Sequence, residues 1–267
     1  MTTQRKLSIY EQNQLRRFGF SNHDLLSQGE LPVEYLTGSL TFKNLDLKVN
    51  QAVLIPRVET EDLVDLICEF SHDLINRGEA INYLEVGTGS GAISLAFFDD
   101  LIKQKQAICE QFIMTDISKK ALSLAQENFQ RLFVHPLLNK LKFLESDLLQ
   151  QIFVKPKPQA TKFNLIVANL PYIPSSAWHN LDSSVKDFEP KLALDGGVNG
   201  FVLINRLLEQ ILEKNLLTDH GKIFLEVYET HQKAYIEANF PKLTQHFVIK
   251  EQRDQFARHR FLILQKP

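Results

Sequence analysis

Two short stretches of the chain concentrate groups able to handle a charged or planar ligand. They are Leu84-Glu85-Val86-Gly87-Thr88-Gly89-Ser90-Gly91-Ala92 and Asn169-Leu170-Pro171-Tyr172. In the first, Gly87, Gly89 and Gly91 let the backbone turn tightly and pass close beneath a ligand. Their spacing is GxGxG, one residue tighter at the third glycine than the dinucleotide pattern GxGxxG. Glu85 sits just inside the turn, where a pyrophosphate site has no use for a carboxylate and a cationic ligand does. In the second stretch, the Asn169 side chain carries both an acceptor and donors. Pro171 stiffens the turn and restricts Leu170, and Tyr172 adds an aromatic face. Such a set can hold a planar NH2 group. The Asn169 oxygen takes one hydrogen, the Leu170 carbonyl takes the other, and the ring covers the plane.

Two aspartates extend the set toward a nucleoside. Asp116 follows the strand expected over Ile108–Thr115, where a carboxylate can accept from both hydroxyls of a ribose. Capping the next helix is its plain alternative. Asp147, in Ser146-Asp147-Leu148, can reach the exocyclic amine of an adenine while Leu148 covers the ring, or can serve as an ordinary loop aspartate.

The elements that must position these groups follow from hydrophobic period. Strands are expected at Ile81–Val86, Ile108–Thr115, Leu141–Leu144, Phe163–Ala168, Lys222–Val227, Phe247–Lys250 and Phe261–Leu264, seven in all, with helices at Ala92–Ile102, Ser118–Phe129, Gly200–Lys214 and His231–Asn239. Ser118 is a natural N-cap. Strand–helix alternation predicts an α/β fold, a doubly wound and mostly parallel sheet. Ahead of it, residues 1–35 read as a short helical segment suited to docking a substrate. Residues 36–75 read as a connecting hairpin and a helix led by Thr60, and 76–267 as the catalytic domain. Glycine is rationed, 11 in all, yet three fall within Gly87–Gly91 and three within Gly196–Gly200. Val154–Ala160 reads as a surface loop.

Composition narrows the class. With 44% hydrophobic and 23% charged residues the chain is globular, and a net charge of −2 argues against bulk nucleic acid as the main partner. The two cysteines, Cys68 and Cys109, have no metal-ligand spacing, so no metal is expected. No apolar run reaches the ~18 residues of a membrane span, and the N-terminus lacks the apolar core of a secretion signal. A monomeric protein of the reduced cytoplasm is expected.

Taken together, the motifs resemble those of class I S-adenosylmethionine-dependent methyltransferases of the amino-methylating group, and more narrowly of the HemK-type peptide chain release factor glutamine methyltransferases. Tyr35-Leu36-Thr37-Gly38, Leu54-Ile55-Pro56-Arg57-Val58-Glu59-Thr60-Glu61 and Phe188-Glu189-Pro190-Lys191-Leu192-Ala193-Leu194-Asp195-Gly196-Gly197 are similar to segments specific to that family. The resemblance implies a Rossmann-like fold and S-adenosylmethionine as cofactor, bound by Glu85, Gly87, Thr88, Gly89, Ser90, Gly91, Asp116, Asp147, Leu148 and Asn169. It implies catalysis by Asn169, Leu170, Pro171 and Tyr172 on the glutamine of the Gly-Gly-Gln tripeptide in class 1 release factors. Leu170 and Val58 stand where the family has prolines, and the segment before residue 35 is shorter than the family's. Three alternatives stay open: a ribosomal-protein glutamine methyltransferase, a ribosomal RNA adenine N6-methyltransferase (whose usual tetrapeptide is also NLPY), and a catalytically silent S-adenosylmethionine-binding scaffold. The charge balance and the family-specific segments favour the release-factor enzyme.

Overall fold

Local signals start the first elements. The computed structural model describes residues 5–104, 108–153 and 162–267, so the expected loop at Val154–Ala160 lies outside the described residues. Ser8 and Glu11 form a reciprocal capping box at α1 (Ile9–Phe18), and Ser21 with Asp24 repeats it at α2 (Asn22–Leu26). Leu15, Leu25 and Val33, the last opening α3 (Val33–Thr37), close a small core of their own with Leu7, Phe20 and Leu36. Strands β1 (Ser39–Phe42) and β2 (Leu45–Lys48) then pair antiparallel through Lys43 and Asn44. Both turn residues have positive φ, 46° and 64°, the backbone a tight right-twisted hairpin requires.

Helix α4 (Thr60–Asn76) buries Leu63, Val64, Ile67, Phe70 and Leu74 along one face. That face shares one hydrophobic cluster with Phe42 and Leu47 of the hairpin and with Tyr83, Phe112 and Phe224 of the main sheet. The connecting segment is thus packed into the body of the protein by apolar contact.

Among the described residues the main sheet has seven strands, as expected: β3 (Ile81–Val86), β4 (Cys109–Asp116), β5 (Leu141–Glu145), β6 (Phe163–Ala168), β7 (Leu217–Glu226), β8 (Val248–Arg253) and β9 (His259–Gln265). Their spatial order is β5-β4-β3-β6-β7-β9-β8. Strands β3 to β7 run parallel, and β9 enters antiparallel between β7 and β8. Alternate strand residues face opposite layers. Tyr83, Phe112, Leu165 and Val167 face α4, α5 (Ala92–Lys103) and α6 (Lys119–Leu132). Leu84, Val86, Ile113 and Ile166 face α8 (Val202–Glu213), α9 (Lys233–Asn239) and α10 (Pro241–His246), while the short α7 (Ser183–Lys186) lies in the connection after β6. From β3 the chain winds outward to β4 and β5 on one side and to β6 and β7 on the other. The reversal opens a crevice at the carboxyl ends of β3 and β6.

Boundaries move by a few residues from expectation. Helix α8 begins at Val202 rather than Gly200, because Gly200 holds φ 75°. The helix expected over His231–Asn239 starts at Lys233 and is followed at once by α10, with Pro241 at its first turn. Ser118 caps α6, accepting from the Ala121 N–H. Among the described residues no helix is long and apolar enough to cross a membrane, and no group of His, Cys, Asp or Glu is placed to hold a metal ion.

One buried side chain ties the hairpin to the sheet body. Asn128 of α6 accepts from the Lys48 N–H at 2.8 Å and donates to the Lys48 and Ser90 carbonyls at 3.0 and 3.1 Å. Replacing it leaves buried backbone groups unpaired. Asn128→Ala is therefore expected to cost about 1–3 kcal/mol of stability, measured as a shift in the urea midpoint at constant m.

Candidate active site

The glycine turn is held by backbone bonds across to β4. The Gly87 and Thr88 N–H groups both donate to the Thr115 carbonyl, at 2.8 and 2.9 Å. Asp116 accepts from the Gly89 N–H at 2.9 Å through one carboxylate oxygen and from the Ser118 N–H at 2.8 Å through the other. Burial pushes the Asp116 carboxyl above its ordinary range, against those N–H donors. At Gly89, φ is 56° and a Cβ would meet nothing within 4 Å, so the turn opens onto empty space. That space is a cleft of about 450 Å³.

Of the residues singled out in the sequence, Glu85, Gly87, Thr88, Gly89, Ser90, Asp116, Asp147, Leu148, Asn169, Leu170 and Pro171 line this cleft. Gly91 does not. It starts α5 with φ 84°, and a Cβ there would press on Ala125 at 3.1 Å. Tyr172 stands behind the wall, its hydroxyl bonded to Glu226. Asp147 meets Arg206 of α8 at 2.9 Å across the cleft mouth, so its carboxylate already has a cation partner.

Glu85 is fully enclosed at the end of β3. Thr88 donates to it at 2.7 Å, and Ser94 donates to the same oxygen. Desolvation raises its pKa to about 7, with the nearby Asp116 charge adding to the rise and the two hydroxyls opposing it. A carboxyl this reluctant to ionise is one that an approaching cation would drive into its charged form.

The Asn169–Tyr172 turn leaves β6 beside the glycine turn and is fixed from three sides. Leu170 is buried against Gly87, where a Cβ would lie 2.9 Å from the Leu170 side chain. Packing thus anchors Leu170 in the turn. Behind the turn runs the second glycine cluster. A Cβ at Gly196 would sit 2.5 Å from the Pro171 carbonyl oxygen, and one at Gly200 would sit 2.2 Å from that of Tyr172. From below comes a polar chain. Asn169 Nδ2 lies 3.4 Å from Thr60 Oγ1, Thr60 donates to Glu226 Oε2 at 2.7 Å, and Tyr172 donates to Glu226 Oε1 at 3.0 Å. Glu226, at the end of β7, is completely buried, and desolvation raises its pKa.

The remaining wall comes from the segment after the hairpin. Ala52, Val53, Leu54 and Pro56 line the cleft, and the Tyr35 hydroxyl donates to the Val53 carbonyl at 2.6 Å. Arg57 pairs with the buried Glu189 at 2.5 Å, and Glu189 also accepts from the Ile55 N–H at 3.1 Å. Sequence reasoning passed over Glu226 and the Ala52–Pro56 wall. Glu226 had a usable signal, since it closes a buried strand at its carboxyl end just as Glu85 and Asp116 do. The wall segment had one as well, since Leu54-Ile55-Pro56 open a stretch specific to the resembled family, but nothing in the local sequence says that it faces the cleft.

The chain can now be set beside known proteins. No family model matches it. A release factor glutamine methyltransferase of Lactococcus lactis is 34% identical over 239 residues, covering 89% of this chain and 78% of the relative. One from Clostridium acetobutylicum is 31% identical over 260 residues, 97% of this chain and 82% of the relative. The human MTRF1L release factor glutamine methyltransferase is 33% identical over 243 residues, 88% and 68%. This chain belongs to the release factor glutamine methyltransferase family. Solved structures agree on the fold alone. A human methyltransferase 10 domain containing protein superposes with TM-score 0.54 at 12% identity, covering 83% of this chain and 88% of its own. A ribosomal protein L11 methylase from Lactobacillus delbrueckii gives TM-score 0.50 at 20% identity, covering 79% and 80%. In this chain the segments around Arg57 and Glu189 that carried the resemblance meet each other as the ion pair.

Glu85 makes stability depend on pH in a stated direction. Its ordinary pKa is 4.5 and the folded chain raises it to about 7. Between those values the folded state holds a proton that the unfolded state has lost, so stability falls as pH rises through the interval and levels off above it. Urea midpoints taken in steps from pH 4.5 to 7.5 are expected to decline for the parent chain, and to decline less for Glu85→Gln.

Proposed function

We propose that this chain transfers a methyl group from S-adenosylmethionine to the side-chain nitrogen of a release factor glutamine, with Asn169 and the Leu170 carbonyl as the groups that hold the amide. One observation carries this assignment: the Asn169–Tyr172 turn and the Gly87–Gly91 turn share one cleft at the carboxyl ends of adjacent parallel strands. Membership of the family adds the substrate class. The resemblance of the sequence motifs narrows it to the Gly-Gly-Gln glutamine of a class 1 factor.

The residues on the cleft wall fit the donor. Gly89 leaves room for close approach to the backbone. Each oxygen of Asp116 accepts one N–H, which leaves lone pairs for the hydroxyls of a ribose. Glu85 provides a buried carboxyl that gains from a nearby positive charge, and Leu148 an apolar surface for a base. S-adenosylmethionine supplies an electrophilic methyl group on a positively charged sulfur.

An amide nitrogen is a weak nucleophile because its lone pair is delocalised into the carbonyl. Holding it in place supplies much of what it lacks, since alignment of reactants is worth about 7–11 kcal/mol. Asn169 Oδ1 and the Leu170 carbonyl are acceptors, suited to the two N–H bonds of an amide. They also stabilise positive charge as it develops on nitrogen, without reorganising at the moment of reaction. Pro171 and the Gly196–Gly200 cradle keep that pair of acceptors rigid. The enzyme is taken to be a cytoplasmic monomer with no nucleic-acid substrate, in keeping with its charge of −2.

Two variants separate binding from chemistry. Asp116→Ala is expected to weaken S-adenosylmethionine binding by about 1.5–3 kcal/mol in calorimetry, the scale of hydrogen bonds to a charged group. Asn169→Ala should leave that affinity within a few-fold and lose about 10²–10³ in single-turnover rate on the release factor. Peptide mass spectrometry should find the added methyl on the tripeptide glutamine. Dimethyladenosine on ribosomal RNA with the release factor untouched would overturn the assignment.

A further inference from the structure

We infer that Glu226, acting through Thr60, fixes which way the carboxamide of Asn169 faces, so that its oxygen and not its NH2 is offered to the cleft. The premise is the acceptor role proposed above for Asn169. A threonine hydroxyl carries one proton. Thr60 donates that proton to Glu226 Oε2 at 2.7 Å. Only lone pairs remain on Thr60 Oγ1, so the group of Asn169 that meets it at 3.4 Å must be the donor, Nδ2. A half-turn of the carboxamide would set two oxygens against each other with no proton between them. The cost of that mismatch keeps Oδ1 turned away from Thr60, and Asn169 lines the cleft.

The direction of the chain originates at the carboxylate. Glu226 Oε1 also accepts a hydroxyl proton, from Tyr172 at 3.0 Å, so both of its oxygens act as acceptors. The Thr60 hydroxyl is committed to Glu226 Oε2. Thr60 is the first residue of α4, and Glu59 before it makes no side-chain cap bond. Glu226 and Thr60 are positioning residues in this scheme. Neither lies in the Asn169–Tyr172 turn; Thr60 borders the cleft beside Asn169, and Glu226 stands behind the cleft wall.

Thr60→Val keeps the shape and removes the hydroxyl, and Thr60→Ser restores the hydroxyl. Thr60→Val is expected to lower kcat about 10–100-fold while KM for the release factor and affinity for S-adenosylmethionine stay within about twofold. Thr60→Ser should recover to within about threefold of the parent. In an Asn169→Ala background, Thr60→Val should cost nothing further, because its effect passes through Asn169. A cost that adds in full there, or a Thr60→Val enzyme at parent rate, would overturn the inference. A second measurement needs neither donor nor release factor. Solvent exchange of the Asn169 side-chain NH2 protons, identified in 15N spectra by their loss in Asn169→Ala, should be at least about tenfold faster in Thr60→Val than in the parent, and unchanged in Thr60→Ser. Equal exchange in the parent and Thr60→Val would sink the inference by itself. A parent chain that leaves the release factor unmethylated would instead count against the assigned function, with the exchange result still deciding the orientation of Asn169.

Discussion

Val86 and Ala168 are register partners at the ends of two adjacent parallel strands, and the active site hangs on that pairing. Parallel strands end on the same side of a sheet, so the residues that follow them, Gly87 and Asn169, emerge together. Every residue of β6 is buried and it is hydrogen-bonded to β3 and β7 on its two sides, which leaves no freedom to slip. A shift of one residue would turn Ile166 and Ala168 from one helical layer toward the other and expose the wrong side chains to each. Hydrophobic register thus sets the separation of the glycine turn and the Asn169–Tyr172 turn before any polar group is considered.

Around that pairing the protein buries several carboxyl groups, Glu85, Glu189 and Glu226 among them, and each of these three is matched to donors. Glu85 has Thr88 and Ser94, Glu226 has Thr60 and Tyr172, and Glu189 has Arg57 and the Ile55 N–H. Burial raises the pKa of all three, and the donors oppose the rise. Glu85 and Asp116 lie at the carboxyl ends of β3 and β4, where the sheet meets the cleft, and Glu226 lies at the end of β7 behind the cleft wall. Hydroxyls hold Glu85 and Glu226, and backbone N–H groups hold Asp116.

Glycine does the complementary work of removing bulk. Gly87 makes room for Leu170, and Gly196 and Gly200 let the backbone of one loop lie against the carbonyls of Pro171 and Tyr172. At Gly200 a side chain is excluded twice, by its positive φ and by the 2.2 Å that would separate a Cβ from the Tyr172 oxygen. The bonds from Ile173 to Leu194 and from Gly196 to Ile173 then stitch the two loops into a short parallel bridge. The turn is held in place because its neighbours leave its backbone little room.

Much of this was written in local sequence. Alternation of period two and period 3.6 gave seven strands and their helices, Ser118 marked the start of α6, and the rationing of glycine pointed to both clusters that shape the cleft. The GxGxG spacing, the carboxylates at strand ends and the Asn169–Tyr172 turn are chemical statements readable without coordinates, because each depends on residues within a few positions of one another. Thr60 shows where that stops. Its sequence context gives a helix-leading threonine, and the fold instead turns its hydroxyl onto Glu226, 166 residues away. Arg57 and Glu189, separated by 132 positions, and the cleft wall from Ala52 to Pro56 are of the same kind. Their partners are chosen by how the sheet is wound and by which strand ends lie side by side. Those are sums of many weak apolar contacts across the whole chain, and no local pattern contains them.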